Sequence, residues 1–158
     1  MVLGFDAAFQ KSKIKIKDIE LAFWLARETQ SPLALLLHGH TQSSEMWAPL
    51  ANALHAAGMS VLALDLHGLG DSRGIPGRYD KKTMAQDMRV LIDALGLVPT
   101  NTNIIGHDLG AFAAYAYAAQ FARQGDKLVM MDATVPGLGI WPMLLQSAQT
   151  WHFGFYGR

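Results

Sequence analysis

Asp108 is the side chain best placed by its neighbours to do chemistry. It stands in Gly106-His107-Asp108-Leu109-Gly110, after Asn103-Ile104-Ile105 and before an Ala-rich stretch. That is the strand–sharp turn–helix setting of a nucleophile elbow, with Asp where a Ser is usual. The flanking glycines allow a tight turn and a close helix–strand approach. The central side chain is then pushed out above a helix N-terminus, where the dipole favours an anion. A carboxylate nucleophile attacks carbon and leaves an ester for water to hydrolyse. The residue type therefore points to cleavage of an alkyl–oxygen or alkyl–halogen bond, and away from Ser-type acyl transfer.

The elements around it follow from hydrophobic period. Lys13–Lys17 alternates and reads as a strand, followed by a second strand over Leu21–Ala26. Leu33–Leu37 and Val61–Leu64 are continuous apolar runs, as expected of strands buried on both faces of a parallel sheet. Trp47, Leu50 and Leu54, with a break at Gly58, predict a short amphipathic helix. A longer helix is predicted from Met84, Met88, Leu91, Ile92 and Leu95, with Gln86, Asp87, Arg89 and Asp93 opposite. Asp80 or Thr83 would cap it and Gly96 would end it. Strand 103–106, helix 109–123 and strand 127–131 complete the pattern. Alternating strands and helices imply parallel βαβ units, whose sites form outside the strand C-termini. His38-Gly39-His40, Asp65, Asp108 and Asp132 all fall at such ends.

Composition excludes several classes. The formal net charge is zero, so no electrostatic case exists for nucleic acid or an anionic membrane. The basic run Lys11, Lys13, Lys15 and Lys17 alternates with other residues and reads as the solvated face of an edge strand. Without Cys there is no thiol chemistry or Cys-based metal site. His38 and His40 have no acidic partner at metal-ligand spacing, so neither a metal nor another cofactor is expected. No apolar run is long enough for a membrane span. No signal-peptide pattern opens the chain, which points to the cytoplasm.

Taken together, the motifs resemble those of the α/β-hydrolase superfamily, in its epoxide hydrolase and haloalkane dehalogenase branch. The resemblance rests on His38-Gly39-His40, Asp65-Leu66-His67-Gly68-Leu69-Gly70-Asp71-Ser72 and Gly106-His107-Asp108-Leu109-Gly110. Asp132 in Met131-Asp132-Ala133-Thr134-Val135-Pro136-Gly137 and His152 in Trp151-His152-Phe153 extend it. It implies the α/β-hydrolase fold, a mostly parallel sheet flanked by helices, truncated at the start of a cap domain. Residues 1–136 would be the N-terminal part of the core and 137–158 the start of the cap. Asp108 would be the nucleophile, with the backbone N–H groups of His40 and Leu109 forming the oxyanion hole. Asp132 would be the acid that orients a catalytic His. His152 would hydrogen-bond the oxirane oxygen, with help from a cap Tyr. Asp65, His67 and Asp71 read as loop formers. Thr41 departs from the family's usual Pro, leaving the shape of that loop open.

The same resemblance separates the chemistries. Haloalkane dehalogenases commonly place a halide-binding Trp after the nucleophile, and fluoroacetate dehalogenases place Arg there and three residues later. Here the positions are Leu109 and Phe112, both apolar. An epoxide needs a proton donor, which His152 could supply. Trp47, His107, Phe112 and Trp151 are the expected pocket residues, and a small, neutral epoxide is the expected substrate. A neutral haloalkane is the alternative, as is a non-catalytic pocket for a hydrophobic ligand. The family's base His follows the eighth strand, and no His here holds that position. The chain thus reads as the N-terminal portion of a full enzyme, or as a lobe that self-associates or binds a complementary C-terminal chain. Turnover by the chain alone is not expected.

Overall fold

The computed structural model describes residues 4–75, 79–123, 126–134, 139 and 141–146, without the side chains of Trp141 and Leu145. The two runs that are apolar throughout form the middle of the sheet. β3 (Leu33–Leu37) and β4 (Ser60–Leu64) are buried at every position. They pair in parallel, from Leu33 opposite Ser60 to Leu37 opposite Leu64. β5 (Thr102–His107) lies parallel on the other side of β3, and β6 (Lys127–Met131) lies parallel beyond β5. β1 (Gln10–Ile16) and β2 (Ile19–Ala26) form an antiparallel hairpin, which joins the sheet through β2 against β4. The order is β1-β2-β4-β3-β5-β6.

Strand pleating sorts the core into two layers. Leu33, Leu35 and Leu37 face α2 (Lys81–Ala94) and α3 (Leu109–Phe121), packing with Met88, Leu91, Ile92, Ala114 and Tyr117. Each such large side chain contributes about 1.5–3 kcal/mol on burial. Ala34 and Leu36 face the other way, toward Trp47 and Ala51. These belong to a 3-10 turn (Ser44–Trp47) and to α1 (Ala48–Ala56), which follows it directly. A short α4 (Trp141–Gln146) comes after β6.

Local signals operate where the sequence placed them. Asp80 caps α2 by accepting the Thr83 N–H at 2.8 Å, and Gly96 takes φ 63 just beyond its end. β1 begins three residues before the predicted Lys13, and Lys11, Lys13 and Lys15 line its exposed face on the outer edge. One assignment is corrected. Asp87, expected on the polar face of α2, is buried, with Oδ2 3.9 Å from His67 Nδ1. At the other edge, β6 exposes Leu128, Val129 and Met131 by 36–45%. No helix among the described residues is long and apolar enough to cross a membrane.

Candidate functional site

The parallel strands β3, β4, β5 and β6 end at one edge, each in a loop that carries a titratable side chain. Around β5 the glycines are required by space. A Cβ on Gly106 would strike the Gly110 and Ala111 backbone at the start of α3. A Cβ on Gly110 would strike the carbonyls of Leu37 and His38 at the end of β3. With both side chains absent, α3 starts immediately after β5. The residue between, Asp108, is forced to φ 49 and ψ −118, a backbone state that costs an L-residue about 1–3 kcal/mol. A sharp strand-to-helix turn, or elbow, is therefore present here, with the aspartate at its apex.

Two loops close on that apex. After β3, His40 donates its backbone N–H to Asp108 Oδ1 at 2.8 Å. Among the described residues, Asp108 Oδ2 accepts no hydrogen bond. After β6, Asp132 takes φ 50 and holds its carboxylate almost fully exposed. Asp132 Oδ2 lies 4.0 Å from Nε2 of His107, the residue preceding Asp108. Leu109 opens α3, half-buried, and Phe112 one turn later is half-buried as well.

The remaining groups at this edge are committed to shape. His38 is fully buried. Its Nε2 accepts the Leu66 N–H at 2.9 Å, so Nδ1 carries the hydrogen and donates to the Gly39 carbonyl at 2.7 Å. Burial pushes its pKa below the usual imidazole value, and the Gly39 carbonyl and Asp65 only partly oppose this. Asp65 is buried too and accepts two backbone N–H groups, from Ser44 at 2.7 Å and Asp71 at 2.8 Å. Gly70 wraps so tightly around that carboxylate that a Cβ there would overlap it. Ser72 completes the loop, donating to the Asp65 carbonyl and accepting the Ala22 N–H. His67 accepts the Ile75 N–H at 3.0 Å.

The structure thus gathers Asp108, His40, His107 and Asp132 of the residues expected at a site, with Leu109 and Phe112 on the adjoining helix. It places Trp47 elsewhere, buried in the core layer under α1, where Nε1 has no hydrogen-bond partner among the described residues. An indole at that position fills the space between sheet and helix, and the sequence could not distinguish this from a pocket wall. Trp151 and His152 lie outside the described residues. No three His, Asp or Glu side chains among the described residues meet as metal ligands. A groove of about 520 Å³ opens at the opposite end of the strands, lined by Glu28, Ser31, Ser60 and Leu97, and includes none of the residues above.

Sequence reasoning missed Gln42. Its Oε1 accepts the Gly39 N–H at 3.0 Å and lies 3.1 Å from His107 Nδ1. Gln42 N–H returns a bond to the Gly39 carbonyl at 3.3 Å. Its position three residues after Gly39, where a side chain can fold back on the turn, was the only available signal.

This elbow, at the head of a helix and at the C-terminal edge of a parallel sheet, belongs to a known class. A family model for the alpha/beta hydrolase fold matches residues 32–157, and the chain belongs to that family. Its relatives include the soluble epoxide hydrolase of Corynebacterium sp. (strain C12), 39% identical over 66% of this chain and 35% of the relative. Epoxide hydrolase 3 of Xenopus tropicalis is 30% identical over 85% of this chain and 37% of its own length. The chain thus spans little more than a third of these relatives. Among solved structures, the ligand-free epoxide hydrolase CorEH matches 70% of this chain and 37% of its own, with a TM-score of 0.60 and 34% identity. The Cif epoxide hydrolase from Acinetobacter nosocomialis shares the fold over 96% of this chain and 48% of its own, with a TM-score of 0.75 at 24% identity. The epoxide hydrolase branch read from the motifs agrees with these relatives.

Proposed function

We propose that this chain carries the nucleophilic portion of an enzyme that hydrolyses small, neutral epoxides. The observation that carries the reading is the arrangement at Asp108. One carboxylate oxygen is pinned by the His40 N–H at 2.8 Å, and the other accepts no hydrogen bond among the described residues. The carboxylate is aimed by a strained turn at the N-terminus of α3. Oδ2 attacks an oxirane carbon and the C–O bond of the ring opens. The released oxygen takes a proton from an acid, a role proposed for His152. Water then attacks Cγ of the ester, frees the diol and restores the carboxylate. The His40 and Leu109 N–H groups would hold the oxygen that gains charge in that second step. Asp132 would act as the acid paired with the base. Apolar Leu109 and Phe112 beside the nucleophile favour an uncharged substrate, and Leu109 offers no side-chain donor to a leaving halide.

The test is the intact mass of the chain during incubation with a simple aromatic epoxide. A gain of one epoxide mass, mapped to Asp108 and absent from Asp108→Asn, is expected. A native chain that never gains this mass, or a variant that gains it equally, would overturn the reading.

A further inference from the structure

We infer that Gln42 is a positioning residue for the nucleophile, and the inference rests on the reading of Asp108 given above. Three groups crowd the place where a Gly39 Cβ would stand: Gln42 Oε1 at 2.7 Å, Asp108 Cβ at 2.9 Å and His107 Nδ1 at 2.9 Å. The loop after β3 and the elbow after β5 therefore meet at Gly39 with no space to spare, and the Gln42 amide spans the junction. Its orientation is fixed by chemistry. A backbone N–H can only donate, so the amide atom facing Gly39 is the oxygen. That oxygen can only accept, so His107 Nδ1, 3.1 Å away, carries a hydrogen and donates it. One side-chain oxygen thus takes a hydrogen from each of the two loops.

Two consequences follow, one for Asp108 and one for the side of His107 that faces Asp132. The Gly39–Gln42 turn is closed by both Gln42 groups, with Thr41 at φ 61 inside it. This closure aims the His40 N–H at Asp108 Oδ1. Gln42 also sets the tautomer of His107, so in the neutral ring the Nε2 lone pair faces the Asp132 side, 4.0 Å from Oδ2. Gln42 itself touches no reacting atom. It holds the donor that selects which oxygen of Asp108 is left to attack, and its amide does so without adding a charge beside the carboxylate.

Two readouts test this. The first needs no substrate: imidazole ¹⁵N spectra and amide hydrogen exchange of the native chain and of Gln42→Met, a substitution of similar size. Expected are an Nδ1–H tautomer at His107 and a protected His40 amide in the native chain, with both lost in the variant while the melting temperature holds. An Nε2–H tautomer, or unchanged His40 exchange in the variant, would overturn the inference. The second is the rate of epoxide labelling across pH. Gln42→Met should label about tenfold more slowly, as fits loss of one or two hydrogen bonds. Gln42→Glu keeps an acceptor but adds a negative charge next to Asp108. It should therefore recover much of the rate at neutral pH while its labelling begins at a higher pH. Equal labelling by native and Gln42→Met chains, or an unmoved pH onset in Gln42→Glu, would overturn the positioning role. If the native chain shows the expected tautomer and protection but never labels, the nucleophile reading fails and the positioning role fails with it.

Discussion

Asp65 and Asp108 follow the two strands that flank β3, at the same edge of the sheet, yet the fold holds them in opposite ways. Asp65 follows β4 and is buried, with each oxygen accepting a backbone N–H and Gly70 closed over it. Asp108 follows β5 and is partly exposed, with one oxygen accepting one N–H. What separates them is the number of donors and the backbone beneath. A carboxylate whose oxygens are both engaged organises a loop. A carboxylate with a spare oxygen, held at a forced turn, can react. Residue type and position at the strand end are shared, so they do not decide the role.

The sharpest break of this contrast is Asp108→Asn. It should lower epoxide labelling by more than about a thousandfold, because an amide is a far weaker nucleophile. Its thermal midpoint should stay close to native, since Asn still accepts the His40 N–H. Intact mass and a melting curve on the same sample check both halves. Asp65→Ala should show the reverse sensitivity. It strands the buried Ser44 N–H and the part-buried Asp71 N–H and should cost about 2–6 kcal/mol in urea unfolding, at about 1–3 kcal/mol per unsatisfied group. A loss under 1 kcal/mol would mean that the loop after β4 does not depend on that carboxylate.

A smaller effect separates the edge's buried and exposed groups by pH. His38 has a depressed pKa in the folded state, mainly from burial, against about 6.5 when unfolded. Below that value the unfolded chain binds the extra proton more readily. His38 therefore contributes stability that is complete above about pH 6.5 and declines as the pH falls further. Urea midpoints measured from pH 7.5 to 5 should drop, and the slope should flatten in His38→Gln. Smallest is the loss from Asp80→Ala. Asp80 is a third loop aspartate, but it stands at an ordinary helix cap. Its replacement should cost about 1 kcal/mol and leave labelling untouched.

Much of this architecture is legible in the sequence. The all-apolar run Leu33–Leu37 became β3 with unchanged ends, because nothing but a two-sided burial suits it. Gly106 and Gly110 announced the elbow because their lack of a side chain is itself the structural requirement. Three things were not legible. Asp87 looked like part of a polar helix face, and only tertiary contact with His67 shows it buried. Trp47 could have lined a pocket or filled a core, since its size suits both. Gln42 carries no motif of its own. Its role depends on two loops, separated in sequence, meeting at Gly39, and one-dimensional spacing cannot report that meeting.

The left-handed backbone at Asp108 sets the interests of the fold against those of the site. Glycine at this position would relax the turn and should make the chain more stable by about 1 kcal/mol, while deleting the carboxylate proposed to react. A library of variants selected only for heat resistance should therefore drift toward Asp108→Gly, and one selected for epoxide labelling should never contain it. The outcome of the two selections at this one codon would show whether the tension at the elbow is tolerated for the sake of its carboxylate.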